Sequence, residues 1–492
     1  MTQEVRRLAA GVLLPGFDGA GLTDSVRALL EDGLAGVALF GQNVETPEQV
    51  RALTDAIRAV RRDAVIAIDE EGGDVTRLHM PDGSPEPGNG VLGRIDDPAR
   101  TAASAARIGA ELAAAGVTLD LAPTADVNSN EDNPVIGARS FGLDPDLVAR
   151  HTRAWIVGLH ATGVAACAKH FPGHGDTAVD SHLGLPVVDV DLETLRARDL
   201  PPFVAAISAG VAAVMTSHIV VPQLDPGVPA TMSPRILTGL LREELGFRGV
   251  IVTDALDMAG ASAEVGIPTA AVRALQAGAD LLCLGRWSEQ HVEPVLDAIV
   301  AAVASDELPR NRLEDAVARI ARLPRHGTVS VPEPPSADRD LADAFDVKPA
   351  AAALLAARQG WTVVRLDSEP NIAVGVTGWG PFAAVAAAPA SAAARRFAGW
   401  PVVDAAADRP RPVPEVTGRA LVIGRDIHRH THARAVVDAL RARGPVVAVD
   451  MGWPSADRRY ADVATFGASR AAGEALLGLL AGRHRRDAGW RS

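Results

Sequence analysis

Short, continuously apolar runs alternate with longer amphipathic segments along the first 325 residues of the chain. Eight such runs can be placed, at residues 11–14, 36–40, 65–68, 117–122, 164–168, 213–216, 250–253 and 281–284. Helical patterns lie between most of them, for example at residues 47–62, 99–115 and 234–245. Apolar strands that alternate with helices predict a parallel sheet covered on both faces. Eight such units fit a closed (β/α)8 TIM-like barrel, and a doubly wound open sheet is the alternative.

The pattern changes after this region. Residues 326–348 are rich in Pro, Ser, Glu and Asp, which predicts a semi-rigid, exposed linker. Beyond it, strand-like runs at 362–365, 372–376, 420–423 and 446–449 alternate with helical patterns at 432–443 and 470–480. We therefore expect an α/β chain with three parts: a catalytic barrel at 1–325, a Pro-rich linker at 326–348, and a smaller three-layer α/β sandwich domain at 349–492.

Polar residues gather directly after the predicted barrel strands. They are Asp69 after the third strand, Asp126 and Arg139 after the fourth, Lys169 to His182 after the fifth, Ser217 and His218 after the sixth, and Asp254 after the seventh. In a parallel barrel these strand ends converge on one rim, where active sites are built. The segment after the fifth strand, KHFPGHGDTAVDSH, is the richest of these in polar groups, and its Lys169 is one of only two lysines in the chain.

Charge and composition exclude several classes of function. The net charge of −13 argues against a nucleic-acid partner, which needs basic patches. No apolar run approaches the roughly 18 residues of a membrane span. Cys167 and Cys283 lie inside apolar runs, as small core residues do, and not in the spacing of a disulfide framework or a metal site. The apolar start of the chain lacks a cleavage site of small residues, so the sequence predicts an unprocessed, cytoplasmic protein.

Four segments together resemble the family 3 glycoside hydrolases. They are residues 69–73 (DEEGG), 169–175 (KHFPGHG), 180–182 (DSH) and 253–256 (TDAL). The combination is similar to the β-N-acetylglucosaminidase (β-N-acetylhexosaminidase) branch, and the C-terminal region is similar to that of two-domain members. The resemblance implies a retaining exo-β-N-acetylglucosaminidase that acts on peptidoglycan fragments or related GlcNAc-terminated oligosaccharides and needs no cofactor and no metal.

The resemblance also implies roles for individual residues. Asp254 would be the nucleophile that forms a covalent glycosyl-enzyme, and a carboxylate at a strand end suits this role. His182 would be the general acid and base, supported by Asp180, on a glycine-flanked loop that we expect to move. The side chains expected to bind the first sugar are Asp69, Arg77, Arg139, Lys169 and His170. One departure from the family pattern is Asp74, which stands where an Arg is usual.

Other functions fit some of these residues. A phosphorylase or a β-glucosidase could use the same nucleophile and dyad. For the phosphorylase, the reason is that a histidine repels phosphate less than a carboxylate acid and base does. A zinc hydrolase could use His170, His174, Asp180, His182 and Asp254 as ligands, and a sugar-binding protein could use a catalytically inactive barrel. His428, His430 and His432 could hold a metal, although the start of a surface helix fits them better. The oligomeric state is left open.

Overall fold

The structure is a computed structural model that describes residues 2–181, 184–286, 288–324, 341–357, 360–368, 373–409 and 412–482. The chain forms two compact units. The first contains Met1–Glu70, Pro98–Val127 and Leu143–Pro335, and the second contains Glu71–Asp97, Asn128–Gly142 and Ser336–Ser492. The sequence predicted a continuous division at residues 325 and 348 instead, and those domain boundaries stay a prediction.

The first unit is built on eight parallel strands. They are β1 (Leu13–Pro15), β2 (Gly36–Leu39), β3 (Val65–Ile68), β4 (Leu119–Asp120), β5 (Ala165–Phe171), β6 (Ala213–Thr216), β7 (Val250–Val252) and β8 (Leu282–Gly285). Strands β2 to β7 pair in chain order, β1 pairs with β8, and a single bridge between Val252 and Leu281 joins β7 to β8. Each of the eight predicted apolar runs overlaps one of these strands. The unit is therefore the TIM-like (β/α)8 barrel that the sequence predicted.

Helices fill the connections between these strands. They are Thr2–Ala10, Asp24–Glu31, Pro47–Val60, Pro98–Ala115, Pro145–His160, Leu192–Thr194, Pro201–Ser208, Ala259–Ser262, Ile267–Ala277, Val292–Ala304 and Arg310–Ile320, with π-helical turns at Leu195–Asp199 and Arg235–Glu244 and 3-10 turns at Gly41–Asn43, Ala230–Met232 and Glu289–His291. Local sequence explains where they start: Thr46 caps the helix that begins at Pro47 by accepting the backbone N–H of Gln49 at 3.1 Å. Within the described residues, no helix combines the length and the apolar character that crossing a bilayer requires.

The second unit contains one six-stranded sheet. Its strands are β9 (Asp346–Val347), β10 (Thr362–Asp367), β11 (Val402–Ala406), β12 (Ala420–Gly424), β13 (Val446–Asp450) and β14 (Val463–Ala464), in the order β11-β10-β12-β13-β14-β9 with only β9 antiparallel. Its helices are Asn89–Ile95, Pro349–Ala356, Gly380–Ala387, Ala392–Ala398, Thr431–Arg441 and Arg470–Leu480, with 3-10 turns at Gly137–Arg139, Leu341–Ala344 and Ile427–Arg429. Val363 and Leu421 pack into one core and Val364 and Val422 into another. Because alternate strand residues face opposite sides, this is the predicted three-layer sandwich.

Three details of the second unit differ from the sequence prediction. The predicted strand at 372–376 is wrong in its described part, since residues 373–376 contain a turn and a bend and no strand, and Ile372 lies outside the described residues. Residues 341–347, placed in the linker by the prediction, form a 3-10 turn and β9, whereas residues 326–340 lie outside the described part. Val91 and Ile95 join the core of this unit, which explains why the helix Asn89–Ile95 belongs to it.

Candidate active site

The carboxyl ends of β3 and β5, which lie on either side of β4, bring Asp69 and Lys169 together. Lys169 Nζ lies 2.7 Å from Asp69 Oδ1, although the two residues are 100 positions apart. Only 3% of the Lys169 side chain and 18% of the Asp69 side chain are exposed. Asp120, at the end of β4, accepts the backbone N–H of Glu70 at 3.0 Å and so fixes the chain directly after Asp69. The pair follows from topology, because parallel strands end at the same rim.

Asp126 is a fully buried carboxylate that accepts hydrogen bonds from three N–H groups. Its Oδ2 lies 2.7 Å from Nδ1 of His170. Its Oδ1 accepts the backbone N–H of His174 at 2.7 Å and that of His170 at 3.2 Å. Because a carboxylate only accepts hydrogen bonds, Nδ1 carries the proton and Nε2 of His170 is the nitrogen left for another partner. Asp126 therefore sets both the orientation and the proton position of His170.

Asp254 follows β7 on a short segment that is fixed by β8. The backbone N–H of Thr253 donates to Leu281 O at 2.9 Å, and Thr253 Oγ1 accepts the N–H of Cys283 at 3.0 Å. Asp254 itself is half-buried, and its Oδ1 accepts the N–H of Ala255 at 2.8 Å. A carboxylate held in this way has a defined direction, as a nucleophile needs.

The charges of Asp69, Lys169 and Asp254 act on one residue of β5. Burial raises the pKa of the Cys167 thiol, Lys169 opposes this effect, and Asp69 and Asp254 add to it. Three of the predicted site residues therefore lie within electrostatic range of the same point in the barrel. The high pKa also keeps Cys167 a neutral thiol, in agreement with its predicted role as a core residue.

The loop after β5 contacts the segment that follows Asp254. Gly260 donates its N–H to Ser181 O at 3.1 Å. A Cβ on Gly260 would lie 2.9 Å from Gly184 O, so the loop packs against Gly260 too closely to leave room for a side chain there. Asp180 is buried on this loop. The predicted acid and base, His182, lies outside the described residues together with Leu183, and its role stays a prediction.

Arg77 and Arg139, the other predicted sugar-binding residues, belong to the second unit. Arg139 forms a two-pronged ion pair with Glu71, with Nε–Oε2 and Nη2–Oε1 distances of 2.9 and 2.7 Å, and both side chains are buried. Arg77 donates from Nη2 to Ala373 O at 2.7 Å and from Nη1 to the next carbonyl at 3.2 Å. Both guanidinium groups thus have partners within their own unit. Their contact with a sugar stays a prediction from the resemblance.

Asp74, the residue that departs from the family pattern, is also in the second unit. Its Oδ1 accepts the backbone N–H of Ala468 at 2.7 Å. Burial raises the pKa of this carboxyl group to about 6, and Arg425 opposes the shift. The side chain is therefore engaged with the C-terminal part of its own unit, which gives the unusual Asp a structural role.

The profile of the glycosyl hydrolase family 3 N-terminal domain matches residues 17–323. The chain belongs to glycosyl hydrolase family 3. The match covers the barrel strands β2 to β8 and the rim residues Asp69, Lys169, His170 and Asp254. The resemblance seen in the four sequence segments is thereby confirmed.

Proteins similar to this family 3 chain match between about half and nearly all of it. A Pseudoalteromonas piscicida protein named β-hexosaminidase A is 39% identical over 318 residues, which are 59% of this chain and 53% of that protein. A Stenotrophomonas maltophilia (strain K279a) protein named β-hexosaminidase is 40% identical over 279 residues, or 55% of this chain and 82% of the relative. The solved structure of a glycoside hydrolase family 3 β-N-acetylglucosaminidase from Paenibacillus sp. str. FPU-7 superposes with a TM-score of 0.83 at 28% identity, covering 97% of this chain and 96% of that one.

The alternative of a metal-dependent hydrolase requires several ligand side chains close together. In the part of the chain that the structure describes, no group of three or more His, Cys, Asp or Glu side chains is arranged to hold a metal ion. His428 is not on the surface as predicted, because its side chain is only 7% exposed. Its Nε2 lies 3.4 Å from Asp132 Oδ1, and its Nδ1 lies 3.9 Å from Asp450 Oδ2. The adjacent helix does start at Thr431, close to the predicted position.

Sequence reasoning gave no role to several residues that shape this family 3 site. Asp120, Asp126, Ser181 and Gly260 support the predicted site residues, and Glu71 pairs with Arg139. An acidic residue inside the apolar run at 117–122 was a visible signal for Asp120, because a buried carboxylate needs a specific partner. Nothing in the sequence pattern indicated that Gly260 would contact the loop after β5.

His174 is expected to make the stability of this protein depend on pH. Its ring nitrogens lie 2.8 Å from Thr177 Oγ1 and 3.0 Å from Ser181 Oγ, and burial together with the nearby His170 lowers its pKa to about 4. An unfolded histidine titrates near 6.5, so between these values only the unfolded chain binds the proton. The contribution of neutral His174 is therefore complete above pH 6.5 and is lost as the pH falls towards 4.

Urea unfolding of wild type and His174→Gln at pH 7, 5.5 and 4 checks this prediction. The stability advantage of the wild type should shrink by roughly 3 kcal/mol between pH 7 and pH 4, because Gln stays neutral throughout. An advantage of the same size at all three pH values would contradict it.

Proposed function

We propose that this chain is a retaining exo-β-N-acetylglucosaminidase that removes terminal β-linked GlcNAc from peptidoglycan fragments or related oligosaccharides. The observation that carries the proposal is the buried Lys169–Asp69 pair, at 2.7 Å, on the rim of the barrel unit that also contains Asp254. Paired charges of this kind give directional, charge-assisted hydrogen bonds to sugar hydroxyls. The names of the curated relatives, both β-hexosaminidases, add support for the N-acetylhexosamine specificity.

In the proposed reaction, Asp254 attacks the anomeric carbon while a proton passes to the leaving oxygen, and a covalent glycosyl-enzyme forms. The proton comes from His182, whose imidazole is oriented by Asp180. In the second half-reaction the same imidazole removes a proton from water, which attacks the anomeric carbon and releases GlcNAc with its original configuration. Asp69, Lys169 and His170 bind the hydroxyl groups of the sugar, with Arg77 and Arg139 as further proposed ligands. No cofactor takes part, and the cytoplasmic location remains part of this proposal.

A phosphorylase or a β-glucosidase is the alternative, and no observation of this site favours either. Both would use the same nucleophile and the same dyad, so they differ from the proposal only in the acceptor or in the sugar. The relatives named as β-hexosaminidases are the reason for preferring the hydrolysis of N-acetylhexosaminides.

The test compares the hydrolysis of aryl β-GlcNAc with that of aryl β-glucoside, each with and without phosphate. We expect kcat/KM for the GlcNAc substrate to exceed that for the glucoside by at least about tenfold, as one extra set of polar contacts allows. Equal or faster cleavage of the glucoside would overturn the sugar assignment. Formation of a sugar 1-phosphate would replace the hydrolase with the phosphorylase, and no turnover at all would indicate a binding protein.

A further inference from the structure

His218 is a fully buried histidine two residues after β6, and both of its ring nitrogens have partners. Nδ1 lies 2.9 Å from Thr231 Oγ1, and Nε2 lies 3.0 Å from Ala255 O. Thr231 in turn lies close to Ser217 O, at 3.0 Å, and to Thr216 Oγ1, at 2.7 Å. The ring is therefore fixed by a buried polar network and not by packing alone.

The bond to Ala255 fixes which nitrogen of the ring carries a proton. A carbonyl oxygen only accepts, so Nε2 of His218 is the donor. Ala255 directly follows Asp254 and donates its own N–H to Asp254 Oδ1. The imidazole of His218 thus holds the carbonyl group of the residue whose N–H contacts the carboxylate that the proposed reaction uses.

This segment is also held by its own turn, in which Met258 donates its N–H to Ala255 O at 3.1 Å, and by residues of β8 or directly before it. Leu281 O accepts the N–H of Thr253, and Cys283 O accepts the N–H of Leu256, both at 2.9 Å. The bond from His218 comes from the opposite neighbour, β6, because β7 lies between β6 and β8. Anchors on two sides restrict the rotation of the segment in a way that one side does not.

We propose that His218 is a positioning residue for Asp254, which it holds in line with the anomeric carbon through its bond to Ala255 O. This inference rests on the proposed function, since it assigns a role in aiming the nucleophile. The His218 side chain is fully buried, so it acts through the backbone of Ala255 and not by touching the sugar. A displacement of about 1 Å at a reacting group lowers the rate by about 100-fold. The loss is therefore expected in kcat, with KM nearly unchanged.

A matched pair of amide variants separates this role from simple packing. In His218→Gln the amide nitrogen reaches about as far as Nε2 and still donates to Ala255 O, whereas in His218→Asn it reaches only as far as Nδ1. On aryl β-GlcNAc we expect His218→Asn to lower kcat by about 10- to 100-fold and to change KM by less than about threefold. His218→Gln should keep at least about tenfold more kcat than His218→Asn.

Circular dichroism and thermal unfolding show whether each variant folds. If His218→Asn does not fold, His218→Phe makes the same comparison with His218→Gln, because it retains a ring and lacks the donor. Equal kcat values in the donor-keeping and donor-lacking variants, an unchanged kcat, or a loss confined to KM would overturn the inference. Absence of wild-type hydrolysis would instead overturn the proposed function, so the two failures are distinguishable.

Discussion

Asp254→Asn is expected to lower kcat/KM on aryl β-GlcNAc by about 10⁴-fold, the size of loss that follows removal of a member of a catalytic unit. A neutral amide cannot form the glycosyl-enzyme, and the uncatalysed attack of water must take its place. The change leaves the local geometry intact, because the amide oxygen can still accept the N–H of Ala255. The loss therefore reports the chemistry of the carboxylate and not a loss of fold.

Asp257→Asn is the matched control. Asp257 lies three residues further along and is exposed, so the same change of charge there should alter kcat/KM by less than about threefold. Azide provides an independent check in Asp254→Ala, where a small anion can attack the anomeric carbon in place of the missing carboxylate. We expect azide to restore turnover of the aryl β-GlcNAc substrate and to give, as the product, a glycosyl azide of inverted configuration. A variant Asp254→Asn with more than a hundredth of wild-type activity would contradict the nucleophile assignment.

The barrel and part of its rim could be predicted because both depend on regular structure. Runs such as 65–68 and 250–253 are apolar throughout, which is typical of strands buried on both faces. Once the strands were placed, their parallel order was enough to bring Asp69 towards Lys169. Prediction was successful here because the position of a strand end follows from topology, without knowledge of any loop.

The supporting contacts could not be predicted, because loops determine them. Asp126 accepts backbone N–H groups from His170, near the end of β5, and from His174, which follows it, and Gly260 donates to Ser181 from one loop to another. Backbone donors have no signature in the sequence, since every residue except proline carries one. The residue type showed a possible acceptor in Asp126 but not which groups would reach it.

Two features of the second unit were missed for a different reason. Strand β11 (Val402–Ala406) has a mixed pattern of exposed and buried residues at the edge of its sheet, so it lacks the continuous apolar run that indicated the central strands. The helix Asn89–Ile95 lies far from the C-terminal region in sequence, and its apolar residues would suit any core. The Pro-rich composition near residue 326 indicates a linker. It does not indicate that Glu71–Asp97 and Asn128–Gly142, which come earlier in the chain, belong to the second unit.

Asp126→Asn is expected to lower kcat/KM on aryl β-GlcNAc by about 100-fold, through His170. The amide oxygen can replace Oδ1 as the acceptor for the backbone N–H groups of His170 and His174. The amide nitrogen then faces Nδ1 of His170, where the carboxylate had accepted a hydrogen bond. Two donors cannot share this position, so the proton of the imidazole moves to Nε2, or the ring turns away. In both cases the ring nitrogen that we propose to face the sugar changes its hydrogen-bonding character.

A double-mutant cycle with His170→Ala tests whether Asp126 acts through this ring. If it does, Asp126→Asn should change kcat/KM by less than about threefold in the His170→Ala background, because the group it orients is gone. Losses that multiply in the double variant would mean that Asp126 supports the site by another route, such as the backbone of His174. Unfolding midpoints measured for all four proteins separate this outcome from a general loss of stability. The cycle isolates the effect on kcat/KM of the proton position that the 2.7 Å contact between Asp126 and His170 sets.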